Sequence, residues 1–365
     1  MYITFPNKNN MQITLENLYN NTRINTTNLT LKLEKEGTLK NEKKQHITEA
    51  LKHLLISTSS DLWETPTTQL YSTYKIPKRT GGFREISAPI EPLKTFQKNF
   101  KNYLEQTCQI ITHEAAHGYI KERSTFTAIK THQNGDMAYF LKADIKDFFP
   151  ACNLNLILTQ LKKIYPLNIL LQDTEYLHNF TKALQLCLKN EELPQGSPAS
   201  PTLTNILMIP FDYELTVSLH KQGFIYTRYA DDILISGKTK WNWDNTITLI
   251  NKLFRKNEYT FTIKNEKTRF GSKNGSNWNL GLMLNKDNNI TIGHEKKQKF
   301  RAAIYQFLTD HLTNTRNWSI IETQELMGLI SYYKMIEPDY VNYVINKYNR
   351  KLNTNTLMLI KQILK

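Results

Sequence analysis

Two adjacent carboxylates interrupt an apolar stretch of the chain and constrain what that stretch can fold into. Asp231 and Asp232 lie between the β-prone runs Phe224–Tyr229 and Ile233–Ile235, which predicts two strands joined by a tight turn at Ala230-Asp231. Two like charges in such a turn repel each other, so a bound cation would stabilise them. A solvated Asp-Asp turn is the common alternative, and this dipeptide alone does not decide between the two.

A third carboxylate ends another apolar run. Asp144 follows Tyr139–Ala143, and we predict a buried strand over residues 137–145. A carboxylate in such surroundings is costly to bury without a counter-ion. Mg²⁺ prefers hard oxygen ligands. We therefore expect Asp144 to meet Asp231 and Asp232 through folding and to hold two Mg²⁺ ions with them, with Mn²⁺ as the alternative ion. Such a centre catalyses phosphoryl transfer.

The charge balance points to a polyanionic partner. The 365 residues include 47 Lys and Arg against 33 Asp and Glu, which gives a formal net charge of +14. Nucleic acid is the partner that such a surplus favours, and a basic protein without a polyanionic partner is the alternative. The mean hydropathy of −0.51 excludes a protein with many membrane spans, and we expect no membrane partner.

The cysteines and the start of the chain bear on the compartment. Cys108, Cys152 and Cys187 show no CxxC pairing, so we expect neither a disulfide framework nor a zinc site. The first ten residues, MYITFPNKNN, lack the basic and apolar regions of a secretory leader. We therefore expect a reducing cytoplasm.

Three motifs carry a resemblance to a known family. Tyr229-Ala230-Asp231-Asp232 resembles the YxDD box of reverse transcriptases. Residues 142–150, KADIKDFFP, resemble their first catalytic motif, and residues 193–201, LPQGSPASP, resemble the motif between the two. The order and the intervals match that family. The segments IYTRYADDILIS and DIKDFFP are most similar to bacterial retron-type and defence-associated reverse transcriptases of the group II intron-like superfamily. The resemblance spans about residues 70–350.

This resemblance implies an α+β fold of the right-hand polymerase type, with fingers, a palm of antiparallel sheet and helices, and a helical thumb. We divide the chain into an N-terminal helical extension over 1–65, fingers and palm over 66–283, and a thumb over 284–365. The residue pattern adds local predictions. These are helices near 40–57 and 91–110, a hairpin over 71–90 that turns at Gly81-Gly82, helical structure over 154–190 broken at Pro166, a helix over Ala199–Met208, a strand over Tyr259–Ile263 and helices from 294 onward.

The resemblance also implies a role for individual residues. Asp144 and Asp231 correspond to the metal ligands, and Asp232 to their auxiliary acid. For the triphosphate, the implied binding residues are Lys78 and Arg84, which we prefer to Lys75 and Arg79. Asp147 would lie where the triphosphate approaches, and Phe149 is the implied steric gate against a 2′-hydroxyl. Gln195 and Gly196 would contact the template base pair, and Lys267 is the implied general acid toward pyrophosphate. The implied nucleic-acid-binding residues are Gly281 in a primer-grip hairpin, and Lys296, Lys297 and Arg301 on a thumb helix. For Phe149 the alternative is an ordinary core aromatic.

The activity implied by the resemblance is that of an RNA-directed DNA polymerase, which extends a 3′-hydroxyl with dNTPs. It would copy a dedicated structured non-coding RNA into cDNA in bacterial anti-phage defence. An effector protein and a second copy of the chain are further partners that the resemblance allows. Two alternatives stay open. One is template-free or protein-primed DNA synthesis by a related defence enzyme, and the other is a nucleic-acid-binding scaffold with a silent palm.

Two segments depart from the retron pattern. Asn279-Leu280-Gly281 stands where retron enzymes carry Val-Thr-Gly, and residues 127–132, TAIKTH, alter an N-A-x-x-H pattern. Both places are linked with recognition of the retron's own RNA, so the departures favour a related defence-associated group. We also expect no ribonuclease H, protease, integrase or endonuclease domain, because the length leaves no room for one. This argues against a retroviral enzyme and against a complete mobile-intron protein.

Overall fold

A computed structural model describes residues 2–3, 13–14, 39, 41–78, 81–108, 112–275 and 279–364. Arg79 and most of residues 1–38 lie outside the described residues. The predictions made for Arg79 and for the greater part of the N-terminal extension therefore stay predictions.

The predicted helices are present, one of them with an additional break, and the described part of the chain adds four helices that were not predicted, over Ser60–Glu64, Thr125–Asn134, Ile209–His220 and Trp243–Lys256. In chain order they are α1 (Asn41–Ile56), α2 (Ser60–Glu64), α3 (Leu93–Thr107), α4 (Thr125–Asn134), α5 (Leu154–Leu161), α6 (Leu167–Leu170), α7 (Thr174–Gln185), α8 (Ser200–Leu207), α9 (Ile209–His220), α10 (Trp243–Lys256), α11 (His294–Thr313), α12 (Ile320–Ile336), α13 (Pro338–Lys351) and α14 (Thr356–Ile363). Pro166 stands directly before α6, which confirms the predicted break. The additional break lies at Asp173, whose side chain accepts a hydrogen bond from Tyr176 N and caps α7. Within the described residues, none of the helices combines the length and the apolar character that crossing a bilayer requires.

In the part of the chain that the structure describes, the strands are short and pair in four small sheets. In chain order they are β1 (Tyr2–Ile3), β2 (Ile13–Thr14), β3 (Tyr71–Pro77), β4 (Phe83–Pro89), β5 (Tyr139–Asp144), β6 (Ile225–Tyr229), β7 (Asp232–Gly237), β8 (Arg269–Ser272), β9 (Met283–Leu284) and β10 (Ile290–Thr291). The chain folds into two compact units. The first comprises Met1–His113, Asp147–Leu215 and Ile250–Thr262, and the second comprises Glu114–Lys146, Thr216–Leu249 and Ile263–Lys365.

In the first unit, the predicted hairpin is confirmed. The strands β3 and β4 pair antiparallel over all seven residues of each. The turn between them contains Gly81 at φ +89° and Gly82 at φ +75°, a backbone conformation that glycine adopts without strain. Helix α1 packs against α3 and α7, and α3 also contacts β4. The core of these helices includes the buried rings of Phe100, Tyr176 and Phe180.

The second unit is built on a four-stranded antiparallel sheet in the order β6-β7-β5-β8. The strands β6 and β7 form the hairpin predicted around Ala230-Asp231, and β5 pairs with both β7 and β8. Helix α4 packs against β6. The helices α11 to α14 share a continuous hydrophobic core with this sheet. Its fully buried members include Ile304, Phe307, Leu308, Val341 and Val344 from the helices and Leu282 beside the sheet.

The strand predicted over Tyr259–Ile263 is wrong. Residues 259–262 have no regular secondary structure, and Ile263 forms only an isolated bridge with Ile145. The alternation that suggested a strand does reflect burial, because the Tyr259 and Phe261 rings are buried and stack with their centroids 5.3 Å apart. Alternating burial makes a strand only where a neighbouring strand supplies backbone partners, and this segment has no such neighbour in the described chain.

Candidate active site

The sheet of the second unit brings the three predicted acids to one end. Asp144, the last residue of β5, stands opposite Asp232, the first residue of β7. Asp231 precedes Asp232 in the hairpin turn, and its carbonyl accepts a hydrogen bond from the Ile145 backbone N–H at 2.9 Å. The antiparallel register therefore joins two motifs that lie far apart in the sequence.

The turn that carries Asp231 is held by a buried arginine. Ala230 has a φ of +55°, a region that residues other than glycine rarely adopt. The fully buried guanidinium of Arg228 donates a hydrogen bond to the Ala230 carbonyl at 3.1 Å. Because this bond fixes the carbonyl of the strained residue, it helps to hold the turn. Sequence reasoning missed Arg228, since the apolar run around it gave no sign that an arginine would be buried there.

The electrostatics of Asp231 fit a cation site. Burial raises the pKa of the Asp231 carboxyl above its usual range, and the neighbouring charges of Asp232 and Asp144 raise that pKa further. A hard divalent cation would relieve this repulsion, so the carboxylate donor set suits Mg²⁺. No group of three or more His, Cys, Asp or Glu side chains in the described residues is arranged around one ion. The agreement with a Mg²⁺ site therefore lies in the chemistry of the carboxylate oxygens and not in a preformed coordination geometry.

Three lysine ammonium groups face these acids. Lys264 Nζ lies 2.9 Å from Asp144 Oδ1, and Lys267 Nζ lies 3.3 Å from Asp144 Oδ2. On the neighbouring strand, Lys142 Nζ lies 3.0 Å from Asp232 Oδ1. The ammonium groups offset part of the repulsion between the carboxylates.

Sequence reasoning identified Lys267 but missed the other two lysines. The Lys264 side chain is 20% exposed against 52% for Lys267, and the Lys264 backbone N–H also donates to the Asp144 carbonyl at 2.8 Å. The contact of Lys142 could have been predicted from the sequence, because a residue two positions before Asp144 lies on the same face of the strand. The contact of Lys264 could not, since it depends on where the chain turns after Ile263.

The predicted triphosphate-binding residues lie on the exposed hairpin of the first unit. Lys78 follows β3, and Arg84 on β4 stands opposite Ile76. Both side chains are exposed. Lys189 contacts the face of the hairpin opposite to that of Arg84. Its Nζ donates a hydrogen bond to Thr73 Oγ1 at 2.8 Å and to Ser87 Oγ at 2.9 Å.

The loop that contains Gln195 and Gly196 is fixed against β4. The Gln195 carbonyl accepts a hydrogen bond from Ser87 N at 2.7 Å. Gly196 has a φ of +115°, and a Cβ placed there would lie 2.8 Å from Ser87 O and 2.9 Å from Ile86 Cγ2. Only glycine fits this position, for reasons of both conformation and space.

Asp147 and Phe149 also belong to the first unit. Asp147 is exposed and has a φ of +46°, and its carbonyl accepts a hydrogen bond from Ala151 N at 2.8 Å. Phe148 is a core residue whose ring centroid lies 5.4 Å from that of Phe261. Phe149 is 9% exposed and meets Phe148 edge to face. Both residues are therefore buried, with Phe148 at 3% exposure, and burial alone does not separate the steric gate from an ordinary core aromatic.

The predicted nucleic-acid-binding residues of the second unit are partly engaged within the protein. Lys296 Nζ donates a hydrogen bond to the Gly281 carbonyl, so the first thumb helix contacts the predicted primer grip. Lys297 Nζ lies 2.6 Å from a Glu337 carboxylate oxygen and 4.8 Å from the centroid of the Tyr340 ring. Arg301 is half-buried one turn further along α11.

His132 lies in one of the segments that depart from the retron pattern. Its side chain is fully buried, with Nε2 2.8 Å from Thr227 Oγ1 and Nδ1 hydrogen-bonded to Ser236 Oγ. This side chain therefore joins α4 to β6 and β7. Burial, together with a smaller contribution from the charge of His117, lowers the pKa of His132 to about 3.

Comparison with known proteins assigns the family. A family model described as reverse transcriptase (RNA-dependent DNA polymerase) matches residues 76–308. The retron Ec83 reverse transcriptase of Escherichia coli is 28% identical over 291 residues, which cover 76% of this chain and 86% of the relative. The retron Mx65 reverse transcriptase of Myxococcus xanthus is 28% identical over 284 residues, which cover 74% of this chain and 62% of the relative. Among solved structures, a telomerase from Candida albicans in complex with a TWJ fragment of telomeric RNA gives a TM-score of 0.44 at 17% identity, over 88% of this chain and 65% of that chain.

The chain belongs to the reverse transcriptase family, since the family model spans more than half of its length. It has the right-hand polymerase fold and is an RNA-directed DNA polymerase, with RNA as template and cDNA as product. Both of these relatives are bacterial retron enzymes, so the comparisons favour the retron type over the related defence-associated group that the two departures suggested.

Proposed function

We propose that this reverse transcriptase transfers nucleotides by a two-metal mechanism, and that it copies a dedicated structured non-coding RNA in bacterial anti-phage defence. The observation that carries the catalytic part is the register of the palm sheet, in which Asp144 stands opposite Asp232 beside the turn that contains Asp231. The resemblance of the motifs to retron-type and defence-associated enzymes supports the choice of RNA and the role in defence.

Asp144 and Asp231 would hold two Mg²⁺ ions, or Mn²⁺ in their place, with Asp232 as the auxiliary acid. When bound, such ions activate the primer 3′-hydroxyl and neutralise the charge of the triphosphate and of the leaving pyrophosphate. The protein prepares the site through Asp231. Because burial and two neighbouring carboxylates destabilise the Asp231 anion, its ionisation is coupled to cation binding.

The nucleotide-binding roles extend to the hairpin of the first unit. Lys78 and Arg84 bind the triphosphate, since both are exposed cations and arginine can contact a phosphate with two hydrogen bonds. Asp147 acts where the triphosphate approaches, through a metal or through its backbone. Lys267 donates a proton to the leaving pyrophosphate, and its exposed side chain is free to move between that role and its contact with Asp144.

The remaining substrate contacts set selectivity. The Phe149 ring lies beneath the sugar and excludes a 2′-hydroxyl, which favours dNTPs over ribonucleotides. Gln195 hydrogen-bonds to the template strand, and Gly196 lets the backbone approach the base pair.

Primer and hybrid contacts belong to the second unit. Gly281 contacts the primer backbone, and Lys296, Lys297 and Arg301 contact phosphates of the RNA–DNA hybrid. Because Lys296 also binds the Gly281 carbonyl, a shift of the thumb helix would move the primer grip with it. In this proposal, residues 66–283 form the fingers and palm, and residues 284–365 form the thumb.

The partners and the compartment complete the proposal. An effector protein and a second copy of the chain are the expected protein partners. The compartment is the bacterial cytoplasm. In support, all three cysteines lie in the described part of the chain, are buried and form no disulfide, as a reducing environment favours.

Purification of the chain with its bound nucleic acid tests the proposal. We expect sequencing to recover one RNA species together with complementary DNA, and Mg²⁺-dependent dNTP incorporation that stops after ribonuclease treatment. The double variant Asp231→Asn and Asp232→Asn should keep the RNA and contain no cDNA. Asp136→Asn is the matched control, because Asp136 is an exposed acid that pairs with Lys273 on the surface of the same unit.

Three outcomes would contradict parts of the proposal. Random cellular RNA without cDNA would refute templated synthesis from a dedicated RNA. Incorporation that persists after ribonuclease treatment would establish template-free or protein-primed synthesis. Protection from phage by the double variant would establish a scaffold role.

A further inference from the structure

A short segment covers the outer edge of the catalytic sheet. Ala115 O accepts a hydrogen bond from Arg228 N at 2.7 Å, and His117 N donates to Arg228 O at 2.7 Å. Ala116 thereby forms a parallel bridge with Arg228 on β6. This pairing occupies the free edge of β6 directly before the YxDD box. The position of the segment is therefore tied to that of the catalytic turn.

Gly118 continues this segment onto the turn itself. A Cβ at residue 118 would lie 2.7 Å from Ala230 N and 3.3 Å from the Tyr229 carbonyl carbon. The backbone of Gly118 thus packs directly on the backbone that precedes Asp231. Arg123 supports the segment from behind, since its Nη1 donates to the carbonyls of Ala116 at 2.5 Å and of Glu114 at 3.2 Å.

The next residue, Tyr119, is both strained and exposed. Its φ is +62°, a conformation that is unfavourable for a bulky side chain. Its side chain is 53% exposed, so burial provides little compensation for the strain. Its ring centroid lies 6.5 Å from that of Tyr229, at an interplanar angle of 39°. Strain of this kind persists where the surrounding structure enforces it, and it is concentrated at functional sites.

We propose that Tyr119 and Tyr229 form a two-ring platform that contacts the primer strand beside the catalytic acids. The inference rests on the proposed polymerase mechanism and adds to it a contact residue outside the family motifs described above. Aromatic faces stack on bases and sugars without regard to sequence, which suits an enzyme that must accept any nucleotide at the primer end. Tyr229 fixes the place of the platform, because it stands opposite Asp232 in the β6–β7 register.

Substitution of Tyr119 separates this role from a structural one. Tyr119→Asn and Tyr119→Gly both remove the ring and both accept a positive φ. We expect the Kd for a fluorescent DNA primer annealed to RNA to rise about tenfold, as the loss of one stacked base contact predicts. The Tm should rise by about 2 °C, because the backbone strain is relieved. Tyr119→Phe keeps the ring and should restore the affinity.

Glu122→Asp is the matched control. Glu122 is exposed and has a φ of +65° three residues further along, and aspartate keeps the charge while tolerating this conformation better. We expect an equal or higher Tm and an unchanged Kd. In steady-state extension, Tyr119→Asn should raise KM for the primer–template and leave kcat within about twofold, because the catalytic acids are untouched.

An unchanged Kd in both ring-deleted variants would overturn the platform. A lower Tm in both variants would also overturn it, because the ring would then serve the fold. Failure of the proposed mechanism is a separate result. If the wild type binds the hybrid but incorporates no dNTP, the polymerase proposal fails, and the Kd values still decide whether Tyr119 contacts nucleic acid.

Discussion

Lys264 binds Asp144 at two points, with its ammonium 2.9 Å from Asp144 Oδ1 and its backbone N–H 2.8 Å from the Asp144 carbonyl. Lys267 reaches the other carboxylate oxygen from a more exposed position. The two lysines thus share one partner but differ in what they can do. Lys264 is suited to hold the acid in place, and Lys267 is suited to leave it and meet a substrate.

The first prediction separates these two lysines. Lys267→Met should lower kcat for dNTP incorporation about 10²-fold, because a general acid is lost. Lys264→Met should lower the free energy of unfolding by about 1–3 kcal/mol, since a largely buried carboxylate loses its closer partner. Single-turnover dNTP incorporation measures the first effect, and urea unfolding measures the second. A wild-type kcat in Lys267→Met would refute the general-acid role.

The second prediction concerns the packing of Gly118 on the catalytic turn. Gly118→Ala should lower kcat about 10²-fold, because a new Cβ at 2.7 Å from Ala230 N displaces the turn that carries Asp231. Gly328→Ala is the matched control in the same unit, since a Cβ at Gly328 in α12 meets no atom within 4 Å. That variant should keep full activity and gain roughly 1 kcal/mol of stability from helix propensity. Full activity in Gly118→Ala would show that the turn tolerates the displacement.

The third prediction concerns the anchor of the fingers hairpin. Lys189→Met removes the bonds from its ammonium to Thr73 and Ser87, and an isolated two-stranded hairpin is marginally stable. We expect KM for dNTPs to rise about tenfold, since hydrogen bonds to a charged group contribute ~1.5–3 kcal/mol, while tryptic cleavage within the hairpin becomes faster. Lys101→Met, which breaks an exposed pair with Glu105 on α3, should change neither quantity. A wild-type KM in Lys189→Met would refute the proposal that Lys189 holds the hairpin in place for dNTP binding.

The fourth prediction is a pH dependence of stability. Burial lowers the pKa of His132 to about 3 and that of His117 to about 4, whereas a histidine in the unfolded chain titrates near ~6.5. The unfolded state therefore binds more protons below that pH, so the free energy of unfolding falls as the pH decreases from about 6.5 toward the folded values.

The expected slope is up to ~1.4 kcal/mol per pH unit for each buried histidine. Urea unfolding of the wild type and of His132→Gln at pH 7, 6 and 5 measures it. The variant should lose less stability than the wild type as the pH falls. Parallel curves for the two proteins would show that His132 does not carry this dependence.

Local patterns predicted two hairpins of the chain correctly. The hairpin around Asp231 and Asp232 is confirmed because the two apolar runs beside it are adjacent in the chain and can pair only through a tight turn. The fingers hairpin is confirmed for the same reason, since its two glycines supply the conformation that its turn requires.

Contacts between distant segments were the ones that local patterns missed. Residues 259–262 alternate as a strand would, but no neighbouring strand pairs with them. Arg228 stands in an apolar run, and its backbone hydrogen-bonds to Ala115 and His117, which lie far earlier in the chain. His132 is fully buried because two strands close over α4. In each case a partner far along the chain decides the outcome, and periodicity reports only which side of an element is apolar.

The sequence by itself determined the family, the order of its motifs and the identity of the three acids, because each motif is a short run whose chemistry is written in adjacent residues. Only the tertiary structure decided how those acids are held. The register of β5 and β7 sets Asp144 opposite Asp232, Lys264 and Lys142 supply the opposing charge, and Gly118 leaves room for the turn. These relationships join residues whose proximity arises from backbone pairing and close packing, which no single stretch of sequence contains.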